Sequence, residues 1–139
     1  MRRVSLGLLA LFFIVAGSNH FVHPAAYARI VPPWLPAHGL LVAISGCCEI
    51  LGGLGVLVAR TRWLAGIGLI ALLVAVFPAN VQMAAHPALY TDIGSPTLFY
   101  LRLPLQVALV AWVWWTCLTG SSTGNPFADT ARASWKNDA

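Results

Sequence analysis

Four long apolar runs, separated by short polar breaks, occupy most of the chain. We place them at residues 4–22, 38–59, 63–83 and 98–118. Each is close to the roughly 20 residues that a helix needs to cross a hydrocarbon core about 30 Å thick. A bilayer core has no water to bond backbone amides, so segments that cross it are helical. The runs therefore predict an all-α membrane protein, built as a four-helix up-down transmembrane bundle.

The composition is typical of a protein surrounded by lipid. Only 9% of the 139 residues are charged and 59% are hydrophobic, whereas soluble domains carry about 25% charged residues. The net charge is +4, and the basic residues are scattered, with the pairs Arg2-Arg3 and Arg60-Arg62 at the ends of apolar runs. Since this forms no basic face, we expect a lipid bilayer and no nucleic acid as partner. We divide the chain into a transmembrane domain, residues 1–118, and a polar, flexible tail, residues 119–139.

The placement of basic residues predicts the orientation. In a bundle of four crossings both termini lie on one side, and that side carries six basic residues against two on the other. The six are Arg2, Arg3, Arg60, Arg62, Arg132 and Lys136, and the two are Arg29 and Arg102. Because cytoplasmic loops are enriched in Lys and Arg, we expect both termini in the cytoplasm. The first run also resembles a signal peptide, but its Ala26-Tyr27-Ala28 lies about ten residues past the apolar stretch, so we expect an uncleaved helix.

The two loops on the opposite side differ in character. The first, residues 23–37, contains Pro32-Pro33-Trp34-Leu35-Pro36, which cannot be helical and is too apolar for open water. We expect this loop to cover the mouth of the bundle as a lid. The other, residues 84–97, contains Asp92, Gly94 and Pro96 and is interpreted as an ordinary surface loop.

Small residues recur at helical spacing in two of the runs. The second run carries Ser45, Gly46, Glu49, Gly52 and Gly53, and the third carries Gly68, Ala71, Ala75 and Ala79, continued by Gln82 and His86. Small residues let membrane helices approach closely, so we predict that both stripes point into the bundle. The neighbouring Cys47 and Cys48 are interpreted as small packing residues rather than redox groups.

Polar side chains inside apolar runs are costly unless they are paired. They are concentrated near the side of the bundle opposite the termini: Asn19, His20, His23, Asn80, Gln82, His86, Arg102 and Gln106. Glu49 lies deepest, about eleven residues or roughly 16 Å into its helix. We predict a polar pocket centred on Glu49, Asn80, Arg102 and Gln106.

Three interpretations of Glu49 remain open at this point. In the first, Glu49 makes a structural contact to Arg102 or Asn80. In the second, it is a carboxylate that moves protons or binds a polar head group. In the third, it faces another subunit. His20 and His23 lie three residues apart and could bind haem or a metal. Because no carboxylate close in sequence would orient them, we predict no metal site.

Several short segments, in this order and spacing, resemble the DoxX-like family of small bacterial membrane proteins. They are Asn19-His20-Phe21, the segment 32–36, Ser45-Gly46 with Glu49, Arg60-Thr61-Arg62, Phe77-Pro78-Ala79-Asn80 and Arg102-Leu103-Pro104-Leu105-Gln106. The resemblance covers about residues 5–116 and implies a multi-pass protein of the bacterial inner (cytoplasmic) membrane. The family is named after a subunit of a thiosulfate:quinone oxidoreductase. Other members are associated with membrane redox and oxidative-stress systems, and a distant animal branch assists receptor assembly.

The resemblance leads to a first hypothesis, a quinone-interacting accessory subunit of a membrane oxidoreductase. Glu49 would exchange protons and Arg102 would act on the head group, with further ligand-binding residues His20, Asn80, Gln106, Asn19 and Gln82. The sequence has no dinucleotide fingerprint or iron–sulfur spacing. We therefore expect no intrinsic cofactor, a bound quinone, and electrons from a redox partner protein.

A second hypothesis is a non-catalytic assembly or scaffold protein whose polar cluster only fixes the bundle, alone or as a homo-oligomer. Whether the chain catalyses a reaction remains open between the two. A small-molecule carrier is disfavoured, since four helices leave little room for alternating access and no inverted repeat is visible.

Overall fold

The structure, a computed structural model, describes residues 2–119, so all of the predicted tail beyond Thr119 lies outside the described residues. Five α-helices follow one another: α1 (Arg2–Val22), α2 (Pro24–Ile30), α3 (His38–Leu57), α4 (Arg62–Ala85) and α5 (Pro96–Val113). A 3₁₀ helix (Pro87–Tyr90) precedes α5, and a π-helical segment (Trp114–Leu118) continues it. No strand occurs between residues 2 and 119.

Four of these helices are long and apolar enough to cross a membrane: α1, α3, α4 and α5 with its π-helical end. Their bounds differ from the predicted runs by at most two residues, which confirms the predicted four-helix up-down bundle. We call the end that holds Arg2, the α3–α4 turn and Leu118 the terminus end. The opposite end, where α2 lies, is the α2 end.

The closest packing in the bundle is between α1 and α3, at Gly17 and Gly46. A methyl group at Gly17 would lie 2.6 Å from the carbonyl oxygen of Gly46, and one at Gly46 would lie 2.9 Å from that of Gly17. The two backbones are therefore in contact, as small residues in membrane helices allow. Gly46, Glu49 and Gly53 of α3 are buried, as predicted for this stripe.

The predicted inward stripe of α4 is inward only in part. Gly68 and Ala71 are exposed on the bundle surface, whereas Ala75 and Ala79 line the cavity described below. The buried positions of α4 are Gly66, Leu69, Leu73 and Met83. Leu69 fills the space beside Gly52 of α3, so the small residue at this contact belongs to α3.

At the terminus end, hydrogen bonds join α1 to the last turns of the fourth span. Arg2 Nε donates to the Thr116 carbonyl at 3.1 Å, and Trp112 Nε1 donates to Ser5 Oγ at 2.8 Å. Next to these hydrogen bonds lies the apolar core, formed by Leu6, Leu9, Ala10, Phe13, Val56, Leu69, Leu73, Val113 and Cys117. The terminus end is thus closed by packing, and the space described below lies nearer the α2 end.

Both connecting loops at the α2 end contain more structure than predicted. Pro24 begins α2 because its missing N–H is not needed at the first position of a helix, and only His23 and residues 31–37 of the predicted loop are non-helical. In the second loop, the 3₁₀ helix buries Tyr90 against Phe99. The interpretation of residues 84–97 as an ordinary surface loop is therefore wrong.

The packing role predicted for Cys47 and Cys48 is also wrong, since both thiols are exposed. They follow Gly46 on α3 and point to the opposite side of the helix from the α1 contact.

Gly17→Ala should destabilise the bundle by about 1–3 kcal/mol, because a methyl group there meets a backbone oxygen that cannot move aside. Gly7→Ala in the same helix is the matched control, since a methyl group at Gly7 would meet nothing within 4 Å. Thermal unfolding in detergent should show a lower Tm for the first variant and an unchanged or higher Tm for the second. Equal effects would contradict the close crossing.

Candidate functional site

A cavity of about 510 Å³ lies among the four spans toward the α2 end, within the usual size range of small-molecule sites. Most of its wall is apolar, and seven polar side chains line it: His20, Tyr27, Ser45, Glu49, Asn80, Arg102 and Gln106. Ile30, Val31, Pro32 and Leu35, from α2 and the segment after it, form its roof. Of the predicted site residues, five therefore share one cavity.

Part of the cavity wall is formed by side chains that are not buried. Three of its apolar lining residues, Phe12, Ile44 and Leu105, are 40–55% exposed. They lie on α1, α3 and α5, within the apolar spans.

His20 is held in place by α3. Its Nδ1 lies 2.9 Å from Ser45 Oγ and 3.2 Å from the Val42 carbonyl oxygen, and Ser45 Oγ itself donates to that carbonyl at 3.0 Å. The Tyr27 ring of α2 stacks on the imidazole, with ring centroids 4.0 Å apart. Ser45 and Tyr27 are not among the predicted site residues, although the four-residue spacing of Ser45 and Glu49 puts these two on one helical face.

The partner of Glu49 is His20. Glu49 Oε1 lies 3.8 Å from His20 Nε2, and the predicted contacts of Glu49 with Arg102 and Asn80 are not made. The glycine crossing explains the pairing: the position of a Gly17 methyl touches Glu49 Cβ, and that of a Gly46 methyl touches His20 Cβ. Each partner lies three residues after a glycine, so the contact of the glycines brings the two side chains together.

Asn80 and Gln106 form a separate polar connection between α4 and α5. Asn80 Nδ2 donates to Gln106 Oε1 at 2.6 Å, and Gln106 Nε2 donates to the Leu73 carbonyl. Pro78 lies in the same part of α4, where a proline removes an N–H from the helical ladder and opens the turn before it. The two amides thus satisfy each other and a backbone carbonyl near this turn.

Arg102 lines the cavity without a carboxylate partner. The structure gives its guanidinium one hydrogen bond, to Met83 Sδ at 3.7 Å. Within residues 2–119 the carboxylates are Glu49 and Asp92, and Asp92 pairs with Arg29. Since a guanidinium has five N–H donors, Arg102 retains donors for a ligand.

Asn19 and Gln82 are not part of the cavity wall, contrary to their predicted ligand-binding role. Asn19 is exposed and donates to the Tyr27 hydroxyl at 2.9 Å, so it supports α2 instead. Gln82 is half-buried in the last turns of α4. The buried residue of this turn is the neighbouring Met83.

The roof is tied to the second loop by an exposed ion pair. Arg29 Nη1 donates to Asp92 Oδ2 at 2.5 Å, Nη2 donates to Oδ1 at 3.2 Å, and Nη2 also reaches the Leu89 carbonyl at 3.4 Å. The hydrogen bond from Arg29 lowers the pKa of the Asp92 carboxyl below its ordinary value. We call this pair the roof latch.

No group of three or more His, Cys, Asp or Glu side chains that could hold a metal ion occurs in the described part of the chain. The chemistry available in the cavity is therefore hydrogen bonding from Arg102, Asn80 and Gln106, and proton exchange at Glu49 and His20.

The chain was compared with known protein families. The family model described as a domain of unknown function (DUF8561) matches residues 9–117, which include most of the first span, the other three almost entirely, and the residues that line the cavity. No curated protein and no solved structure matches the chain.

The roof latch should be insensitive to pH between 8 and 5. Arg29 lowers the pKa of Asp92, so the carboxylate persists until the pH falls below the ordinary Asp value of about 3.9, and only there is the latch lost. The carboxyl ¹³C signal of Asp92, assigned with Asp92→Asn, should titrate at higher pH in Arg29→Gln. The same midpoint in both proteins would contradict the latch.

Asn80 and Gln106 should be coupled in stability. Asn80→Leu and Gln106→Met, made singly and together, should give a coupling free energy of unfolding of about 0.6 and at most about 1.7 kcal/mol, the range for hydrogen bonds between membrane helices. Gln82→Met combined with Gln106→Met is the control pair and should be additive. Additivity in both pairs would argue against the connection.

Proposed function

We propose that this protein, which belongs to the DUF8561 family, binds a membrane-soluble amphiphile of the quinone class in its cavity. In this role it would serve as an accessory subunit of a membrane redox system. One observation carries the proposal: a mostly apolar cavity among the spans has polar groups with spare hydrogen-bonding capacity on its wall.

The cavity matches the two parts of a quinone. The isoprenoid tail needs apolar walls, and Phe12, Ile44 and Leu105 form part of them. The head has two carbonyl oxygens that accept hydrogen bonds, and Arg102 has unused N–H donors for one of them. Charge-assisted hydrogen bonds of this kind are the stronger ones. Asn80 and Gln106 are already bonded to each other, so they contribute less than the sequence predicted.

The proton chemistry fits as well. Reduction of a quinone to a quinol takes two electrons and two protons. Glu49, on the cavity wall, can pass a proton to a ligand oxygen. The electrons would come from a redox partner protein, since the sequence carries no motif for an electron-carrying group.

The resemblance to the DoxX-like family supports the same redox setting. It also favours a bacterial inner membrane, and the six-to-two distribution of basic residues favours cytoplasmic termini. With that orientation, the roof and Arg102 lie toward the outer face of the membrane.

A second candidate is an assembly or scaffold role without chemistry. It is favoured by the connection from Asn80 through Gln106 to the Leu73 carbonyl, which fixes α4 to α5 through groups of the protein itself. Under this alternative the cavity polar groups serve stability alone, and no amphiphile binds specifically.

Titration of the purified protein in nanodiscs with a benzoquinone bearing a short isoprenoid chain separates the two candidates. Wild type should bind it, and Arg102→Gln should weaken binding about 10–150-fold, the loss expected for a hydrogen bond to a charged group worth about 1.5–3 kcal/mol. Arg60→Gln, an exposed site at the terminus end, is the matched control and should bind as wild type does.

An isoprenoid alcohol of the same chain length tests whether the head group is recognised. Wild type should bind the alcohol more weakly than the quinone. The affinity for the alcohol should be the same in Arg102→Gln as in wild type. Absence of quinone binding by folded wild type, or equal affinity for quinone and alcohol, would overturn the proposal and favour the scaffold role.

A further inference from the structure

Glu49 has an unusual combination of burial and missing partners. The residue is only 9% exposed, and its Oε2 has no hydrogen-bond partner within the described residues. Its nearest ionisable group is His20, with 3.8 Å between Oε1 and Nε2. A carboxylate near the centre of a bilayer is costly when it has no counter-charge. The state of Glu49 therefore depends on which protons His20 carries.

The hydrogen bonds around His20 indicate which of its ring nitrogens carries the hydrogen in the neutral form. The Val42 carbonyl can only accept a hydrogen bond, and it already receives the Ser45 hydroxyl proton at 3.0 Å. Ser45 Oγ, having donated its proton, is left as an acceptor toward His20 Nδ1, 2.9 Å away. Both neighbours of Nδ1 are thus acceptors, so Nδ1 carries the hydrogen. In the neutral imidazole, Nε2 is then a bare acceptor facing Glu49.

We propose that His20 and Glu49 form an acid–base pair that holds one proton between them at the cavity wall and passes it to an oxygen of a bound ligand. The pair has two equivalent descriptions, a carboxylic acid beside a neutral imidazole or a carboxylate beside an imidazolium. In both, the net charge is zero, which lets the pair remain in a low-dielectric bundle.

The distance suits such a transfer. At 3.8 Å the two atoms are too far apart for a direct hydrogen bond, and an oxygen of a ligand or a water can lie within hydrogen-bond distance of both. In the transfer, the O–H bond of Glu49 breaks and an O–H bond on the ligand forms, which leaves a carboxylate beside His20. The pair regains its proton from water at the α2 end, so protons balance over one cycle.

The groups that face the pair are few. Tyr27 of α2 stacks on the imidazole, and Arg102 of α5 is the cationic side chain on the cavity wall. The part of α4 that lines the cavity contributes apolar side chains and the amide of Asn80. His20 and Glu49 themselves are the contributions of α1 and α3 that can gain or lose a proton there.

The tautomer can be measured without a ligand. In ¹⁵N-histidine-labelled protein in nanodiscs, the neutral form of His20, assigned with His20→Gln, should show a protonated Nδ1 and an unprotonated Nε2. Ser45→Ala should increase the fraction of the opposite tautomer. A neutral His20 that carries its proton on Nε2 in the wild type would overturn the proposal.

The shared proton is tested through Glu49, which is the single glutamate of the sequence. Its carboxyl ¹³C signal, assigned with Glu49→Gln, should titrate in two steps that coincide with changes at His20, as coupled groups do. In His20→Gln the signal should titrate in one step. His23→Gln, an exposed site between α1 and α2, is the matched control and should retain two steps. A glutamate signal that is the same in wild type and folded His20→Gln would overturn the proposal.

The identity of the proton's acceptor rests on the proposed quinone function, but these measurements use the unliganded protein. A failure to bind quinone would leave the pair intact, and a failure of the coupled titration would leave quinone binding to be judged by its own titration.

Discussion

The contact between Gly17 and Gly46 sets the distance between α1 and α3, and the candidate site depends on it. Water is absent from a bilayer core, so helices there associate through close packing and through polar groups that satisfy one another. The two glycines remove the side chains that would hold the backbones apart. His20 and Glu49, each three residues further along, are then brought to 3.8 Å. The same crossing therefore supplies the packing of α1 against α3 and the pairing of two buried ionisable groups.

The two ends of the bundle differ in structure. At the terminus end, apolar packing and the hydrogen bonds from Arg2 and Trp112 close the structure. Toward the α2 end, the spans enclose a cavity covered by α2 and the segment after it, and the roof latch attaches this cover to the second loop.

Much of the fold followed from the sequence, and its errors have specific causes. The four runs were located within two residues because the lengths of spanning helices are set by the bilayer thickness. The stripe on α4 was wrong at Gly68 and Ala71 because small residues show only that a helix can approach another closely. Which helix supplies them at a given interface depends on its neighbour, and here Gly52 of α3 receives Leu69 of α4. The helix α2 was missed because residues 23–37 were treated as one loop on the evidence of the proline-rich segment 32–36. That segment is non-helical, but Pro24 stands at the first position of a helix that precedes it.

The sequence alone determined that polar side chains would gather near one end of the bundle, since hydrocarbon does not tolerate them singly. It also determined which residues were available, and five of the seven predicted site residues line the cavity. Only the tertiary structure decided the partners: Glu49 with His20 instead of Arg102, Asn80 with Gln106, and Asn19 with Tyr27 of the roof. The reason is that depth in the membrane follows from counting residues along a helix. Pairing depends on how the helices are rotated and how closely they cross, and the glycine contact fixes both for α1 and α3.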